Sequence, residues 1–149
     1  MSAYVPGIFA DIQAIIKPVW PEVVANGIWE ATHVNQVPWG ELTIPFAVTH
    51  IKRFERSSLL VPDVLGYMVS ADVYYIAQTA GPISPIIAKL ESLRDALSTA
   101  ALTHGQVYDI GNFEWDDSLG PNAFFVASNS TARAGMITVQ VLIGQNITP

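Results

Sequence analysis

Hydrophobic residues near the N-terminus recur at steps of three and four, which is the period of an amphipathic helix. This apolar stripe consists of Ile8, Ile12, Ile15, Ile16, Val19 and Val23. We expect a helix over Gly7–Lys17, because Pro18 and Pro21 interrupt the hydrogen bonds that would continue it. A kink or a short turn should follow to about Ala25, and Asn26-Gly27 is a suitable stop.

The period then changes to two, which is typical of strands. Residues 28–39 are ambiguous, with one short strand and a loop as one interpretation. Apolar and polar residues alternate from Leu42 to about Arg53, which predicts a half-buried strand. Pro45 cannot donate to a ladder, so we place it at an edge or on the unpaired side. A long loop, Phe54 to Gly66, separates this strand from a second one at 67–78. Further strands are predicted at 106–115, 123–128 and 135–143.

A second amphipathic helix is predicted to begin at Ser84-Pro85, where a hydroxyl can cap and proline occupies the first helical position. Its apolar stripe is Ile86, Leu90, Leu93, Leu97 and Ala101. His104-Gly105 should end it, with His104 bonding the free carbonyls of the helix. The order of elements predicts a single α+β domain over 1–149, with a mainly antiparallel sheet and two helices packed on one face.

Composition changes this picture in two ways. Hydrophobic residues make up 50% of the 149 residues and charged residues only 13%, which excludes intrinsic disorder. Such a chain has more apolar surface than one small core can bury, and assembly with other chains is the simplest way to bury the rest. The net charge of -6, with seven basic residues, argues against tight nucleic-acid binding. The absence of cysteine excludes disulfides and cysteine-ligated zinc, and no stretch predicts a membrane span.

No enzyme signature is found: neither a nucleophile elbow, nor a phosphate-binding glycine loop, nor a zinc-protease motif. His33, His50 and His104 lack metal-ligand spacing and are interpreted as structural. Glu114 and Asp116 would share a face of a strand and could hold a hard cation. Two carboxylates are too few for a protein cage, which favours a solvated strand end. We therefore expect no enzymatic activity, no cofactor and no metal.

A basic cluster is the most informative polar feature. Lys52, Arg53 and Arg56 are three of the seven basic residues, and Phe54 lies between them. The cluster could contact phosphates, pair with the acidic surface of a neighbouring subunit, or be a solvated loop.

Apolar residues follow the basic cluster in the predicted loop. Leu59, Leu60 and Val61 would be exposed in a free loop, so we hypothesise that the loop docks on a neighbouring subunit or another partner. The apolar triplet would supply affinity, and the arginines would set the register. Trp39, in a Pro-Trp-Gly turn, is either an interface anchor or packed within its own subunit.

A family resemblance covers nearly the whole chain. It rests on the helix 7–17, the proline-containing strand Leu42–Val48, the loop that begins at Lys52-Arg53-Phe54, the strand Gly66–Ile76, the leucine-striped helix Ile86–Leu97 and the final strand Gly135–Ile143. In this order, these features resemble the tail-terminator proteins of long-tailed bacteriophages.

The resemblance implies a structural virion protein that forms a six-fold homo-oligomeric ring on the finished tail tube. Such a ring stops tube polymerisation and forms the head–tail joining surface, so the implied partners are the tail tube protein and a head-completion protein. The implied location is the virion tail, assembled in the cytoplasm of the bacterial host. DNA would pass the lumen, where an acidic wall repels phosphates. The alternatives are another phage neck or connector protein, or a small α+β ligand-binding domain or enzyme with a closed pocket.

Overall fold

The computed structural model describes residues 4–32, 45–57, 66–78, 83–115 and 132–144. Their elements are α1 (Tyr4–Val19), a short 3-10 helix (Pro21–Val23), β1 (Ile28–Ala31), β2 (Phe46–Ser57), β3 (Gly66–Gln78), α2 (Ser84–Ser98), β4 (Gln106–Trp115) and β5 (Ala132–Gly144). The predicted strand at 123–128 and the predicted strand start at 42–44 lie outside the described residues.

The five described strands form one sheet in the order β1-β2-β3-β5-β4. Every neighbouring pair is antiparallel except β1 and β2, which run parallel. The α+β class with a mainly antiparallel sheet is therefore confirmed. The parallel pair begins at Gly27, whose φ of 117° is accessible to glycine and whose carbonyl accepts from the Ala47 N–H at 3.2 Å.

Both helices pack on one face of the sheet, as predicted. The buried helix residues in this core are Ile8, Ile12, Ile16, Ile86, Leu90, Leu93 and Leu97, and the sheet contributes Val69, Ala71, Val73, Ile137, Val139 and Val141. The approach is tightest at Gly135 of β5. A Cβ atom there would lie 2.7 Å from Ile86 Cγ2 and 2.8 Å from Leu90 Cδ1.

The opposite face of the central strands is buried as well. Its buried residues include Phe46, Val48, Tyr74, Ile76 and Met136. The prediction of a half-buried strand is therefore wrong for β2, whose two faces are both covered around Phe46–Val48. Among the described residues the large exposed hydrophobics are Val24, Tyr108 and Trp115, so most apolar side chains of this part are accommodated by two buried sheet faces.

The end of α1 follows its prolines. The helix continues to Val19, two residues beyond the predicted end, with Pro18 in its last turn. Proline cannot donate a hydrogen bond, but the Trp20 N–H still donates to the Ile16 carbonyl at 2.7 Å. The 3-10 helix that begins at Pro21 is the predicted short turn.

Both ends of α2 differ from the prediction. Its N-cap is Ile83, no side chain caps it, and Ser84 is already helical. It ends at Ser98 rather than at His104-Gly105, which leaves Ala101 exposed outside the helix. Side-chain hydroxyls explain the early end, because the Ser98 hydroxyl donates to the Asp95 carbonyl at 2.8 Å. Such local bonds compete with the helical ladder.

The proline predicted within a strand lies just before one. Pro45 precedes the first residue of β2, and its carbonyl accepts from Asn26 Nδ2 at 2.8 Å. Its missing N–H therefore removes no bond from the ladder of β2, which lies between β1 and β3 and is not an edge strand.

Candidate functional site

The basic cluster lies at the end of a strand, as predicted, but that strand extends past its predicted end near Arg53. β2 continues to Ser57, so Lys52, Arg53, Phe54 and the backbone of Arg56 belong to the sheet. We call residues 52–57 the basic strand end. The other predicted interface residues, Trp39, Leu59, Leu60 and Val61, lie outside the described residues.

A β-bulge explains why the sequence pattern placed the end of this strand too early. The register shifts between Ile51, which pairs with Ala71, and Arg53, which pairs with Ser70. The inserted residue, Lys52, inverts the alternation, so the polar and apolar positions beyond it no longer match those before it.

Lys52 joins a polar line that crosses three strands. Its Nζ lies 3.0 Å from Asp72 Oδ1 on β3, and the Thr138 hydroxyl on β5 donates to the same oxygen at 3.0 Å. The Asp72 side chain is 6% exposed and that of Lys52 41% exposed. The buried carboxylate is thus neutralised by a cation that reaches the surface, an arrangement that a buried charge requires.

Among the described side chains of this strand end, Arg53 has only a long ion pair, in contrast to Lys52. Its side chain is 64% exposed, and its nearest described carboxylate is Glu55 at 3.8 Å. An exposed pair at this distance stabilises a fold little, so the guanidinium is available to another molecule.

Phe54 is part of the packing of this subunit. It pairs in register with Val69, packs against the core, and stacks on Tyr67 with ring centroids 4.8 Å apart. This contact holds the end of β2 against β3. A role of Phe54 in an interface stays a prediction.

A second polar cluster ties the 3-10 helix to α2 and β3. Glu22 Oε2 accepts from Lys89 Nζ and from the Tyr75 hydroxyl, each at 2.8 Å. Trp20, fully buried, donates from Nε1 to the Lys89 carbonyl at 2.9 Å and meets the Tyr75 ring edge-on at 4.9 Å. Trp20 is thus a core residue.

The charges of this second cluster alter two ionisation equilibria. Burial alone would raise the pKa of Glu22, but hydrogen bonds from Lys89, from its own backbone and from Tyr75 outweigh it, so the pKa lies below its ordinary 4.5. Burial, and then the bond to Glu22, raise the pKa of Tyr75 well above 10. Both shifts favour ionised Glu22 beside neutral Tyr75 at neutral pH.

The predicted role of His104 at a helix end is corrected. Its backbone N–H donates to Asp11 Oδ2 at 2.8 Å, and its Nδ1 lies 3.1 Å from Asp11 Oδ1. Gly7 of α1 leaves room for the ring, since a Cβ there would lie 2.5 Å from it. The contact fastens α1 to the segment before β4. His50 lies half-buried on β2, and His33 lies outside the described residues.

Sequence reasoning missed Asp11, Glu22 and Asp72, which are the partners of His104, Lys89 and Lys52. The signal for Asp72 was its position in an otherwise apolar alternating run, where a carboxylate needs a partner.

Within the described ranges, no group of three or more His, Asp or Glu side chains could hold a metal ion. Glu114 is half-buried near the end of β4, and Asp116 lies outside those ranges. No helix in the part of the chain that the structure describes is long and apolar enough to cross a membrane.

The comparisons with known proteins show the fold. No protein-family model matches the chain, and no curated protein matches its sequence. Among solved structures, the chain is similar to a chain of the virion of a native gene transfer agent particle, with a TM-score of 0.61 and 13% sequence identity. The similarity covers 97% of this chain and 99% of that chain, so the two share one fold from end to end.

Proposed function

We propose that this chain is a structural protein of a phage-like virion and, within that class, a tail terminator that caps the tail tube as a six-fold ring. The observation that supports the virion assignment is the end-to-end similarity to a chain of a gene transfer agent virion. The finer role rests on the resemblance of the sequence to tail terminators. Its partners would be the tail tube protein and a head-completion protein.

The polar clusters of the described residues agree with a structural role. Asp72, Glu22 and Asp11 each neutralise a cation or bond a neighbouring element of the same subunit. The recess bordered by Arg94, Gly111 and Phe113 is open to solvent. The proposal assigns no catalytic step to the chain.

Oligomeric state tests the ring. We expect light scattering and electron microscopy of the purified chain to show a concentration-dependent ring of six copies. A chain that stays monomeric at every concentration, alone and with tail tubes, would contradict the proposal.

Tube polymerisation tests the terminator role. Added to polymerising tube subunits of the same virion, the chain should stop elongation and appear as a cap at one tube end. Tubes that elongate unchanged would leave another neck or connector protein as the better assignment.

The predicted loop that contains Leu59 and Leu60 provides a variant for both assays, and α2 provides its control. Leu59→Ser combined with Leu60→Ser should abolish assembly with an unchanged circular dichroism spectrum. Ser92→Ala, on the exposed side of α2, should assemble normally. Unchanged assembly of the double variant would remove these leucines from the interface.

A further inference from the structure

Opposite charges lie on β2 and β4. The basic strand end of β2 contains Lys52, Arg53 and Arg56 with one carboxylate, Glu55, although Lys52 pairs with Asp72 and the neighbouring edge strand β1 carries the exposed Glu30. β4 forms the opposite side and contains two carboxylates and no cation. These are the outer parts of the sheet that a neighbouring copy could reach.

Arg53 and Asp109 lie in the same row of paired residues across the sheet. Arg53 pairs with Ser70, Ser70 with Gln140, and Gln140 with Asp109. This row crosses β2, β3, β5 and β4, so its cation and its carboxylate are about 14 Å apart at three strand spacings. Screening over about 8 Å at physiological salt prevents strong pairing within one subunit.

Both ends of this row are available to another molecule. Arg53 and Asp109 are exposed, and Tyr108, the bulged residue beside Asp109, is 52% exposed. The parallel partner β1 covers only Ala47–His50 of β2. Within the described ranges, β5 is the strand that pairs with β4, and none pairs with the other edge of β4.

Among the described side chains, Arg94 lies beside β4 but pairs with another carboxylate. Arg94 of α2 lies over the Phe113 ring at 5.5 Å and pairs with Asp95 at 3.2 Å. Phe113 packs against the core that the helices cover, whereas Asp109 is aligned with Gln140. Asp109 therefore has no cation of its own among the described residues.

We infer that the basic strand end of one copy binds the β4 side of the next copy, with Arg53 against Asp109 and Tyr108 packed between the two subunits. The inference rests on the proposed ring and names its contact. Two register shifts interrupt β4, which favours side-chain contacts over a continuous backbone ladder. Because the two surfaces differ and lie on opposite sides, the contact is heterologous and repeats head to tail, as a ring requires.

Cysteine crosslinking tests the contact, since the chain has no cysteine of its own. The Arg53→Cys chain mixed with the Asp109→Cys chain should form a disulfide-linked heterodimer under mild oxidation. A matched pair, Glu91→Cys on the exposed side of α2 with Asp109→Cys, should give no more than background. A heterodimer yield equal to that of the matched pair would overturn the inference.

Charge reversal gives a second, independent readout. Arg53→Glu and Asp109→Lys should each raise the concentration needed for assembly by roughly tenfold or more, because like charges would meet across the contact. An equimolar mixture of the two variants should assemble again, since alternating copies restore opposite charges at every contact. Lys17→Glu and Glu91→Lys, exposed positions outside the contact, should assemble as the unaltered chain does.

The outcomes separate this inference from the proposed function. Rings that form without the 53–109 crosslink and tolerate both reversals would leave the terminator proposal standing and refute this contact. A specific crosslink in a chain that forms open filaments and does not cap tubes would support the contact and refute the terminator role.

Discussion

Gly135→Ala tests how closely α2 lies on the sheet. The added methyl group would lie 2.7 Å from Ile86 Cγ2 and 2.8 Å from Leu90 Cδ1, whereas carbon atoms in contact are normally about 3.5–4.0 Å apart. Both side chains are buried in the core. The helix must therefore shift by roughly 1 Å or the side chains must leave their preferred rotamers.

The expected loss follows from two opposing effects. Overpacking of a core costs about 1–3 kcal/mol. Replacement of glycine restricts the unfolded chain and returns about 0.4–1 kcal/mol. We expect Gly135→Ala to lower the free energy of unfolding by about 1–2 kcal/mol. Leu90→Ala alone should lower it by about 3–5 kcal/mol, because it opens a cavity at a fully buried position.

The double variant is the informative measurement. In Gly135→Ala with Leu90→Ala, the added methyl group occupies part of the cavity, so the combined loss should fall short of the sum by about 1 kcal/mol or more. Urea unfolding monitored by circular dichroism gives the free energy of unfolding of each variant, provided that the slope of this free energy against urea concentration is unchanged. Gly111→Ala is the control, because its nearest neighbour, Thr138 Cβ, would lie 3.2 Å away and its cost should stay below about 1 kcal/mol. The reasoning would be refuted by a Gly135→Ala chain as stable as the unaltered protein. It would also be refuted by a double variant whose loss of stability equals the sum of the two single losses.

Three further predictions concern the polar clusters. Lys52→Met should cost about 3 kcal/mol and Asp72→Asn about 1–2 kcal/mol in urea unfolding, because the first leaves a buried carboxylate with the Thr138 hydroxyl but without a cation and the second leaves a cation that reaches solvent. Since the pKa of Glu22 is lowered in the fold, its contribution to stability is present above pH 4.5 and disappears as the pH falls below that value, so Glu22→Gln should flatten the acid limb of the stability profile. In thermal unfolding, Gly7→Ala should show none of the gain of about 1 kcal/mol that alanine normally brings inside a helix, because its methyl group displaces the His104 ring from Asp11.

Each of these predictions has a result that would contradict it. If Asp72→Asn lowered the free energy of unfolding as much as Lys52→Met does, the exposure of the remaining partner would not determine the loss of stability. A Glu22→Gln chain with the acid dependence of the unaltered protein would remove Glu22 from the acid response. A raised melting temperature of Gly7→Ala would show that the ring moves without losing its bond to Asp11.

The sequence by itself determined the fold class, because burial imposes a period on the chain. Ile8, Ile12 and Ile16 recur at helical steps since one side of α1 must face the sheet. Alternation at Val69, Ala71 and Val73 likewise marks the side of β3 that the helices cover. Local rules of this kind also placed β3 and β4 within about one residue of their observed bounds.

Only the tertiary structure decided where the polar groups meet. The bulge at Lys52 inverts the alternation of β2, so the pattern that identified the strand also placed its end too early. His104 bonds Asp11, which lies 93 residues away in the sequence. The residue that the sequence pattern placed at the end of a helix therefore joins two distant elements. The alignment of Arg53 with Asp109 depends on the register of four strands at once. The alternation within each strand shows which residues share a face, but the bulges at Lys52 and Tyr108 shift the register between the strands.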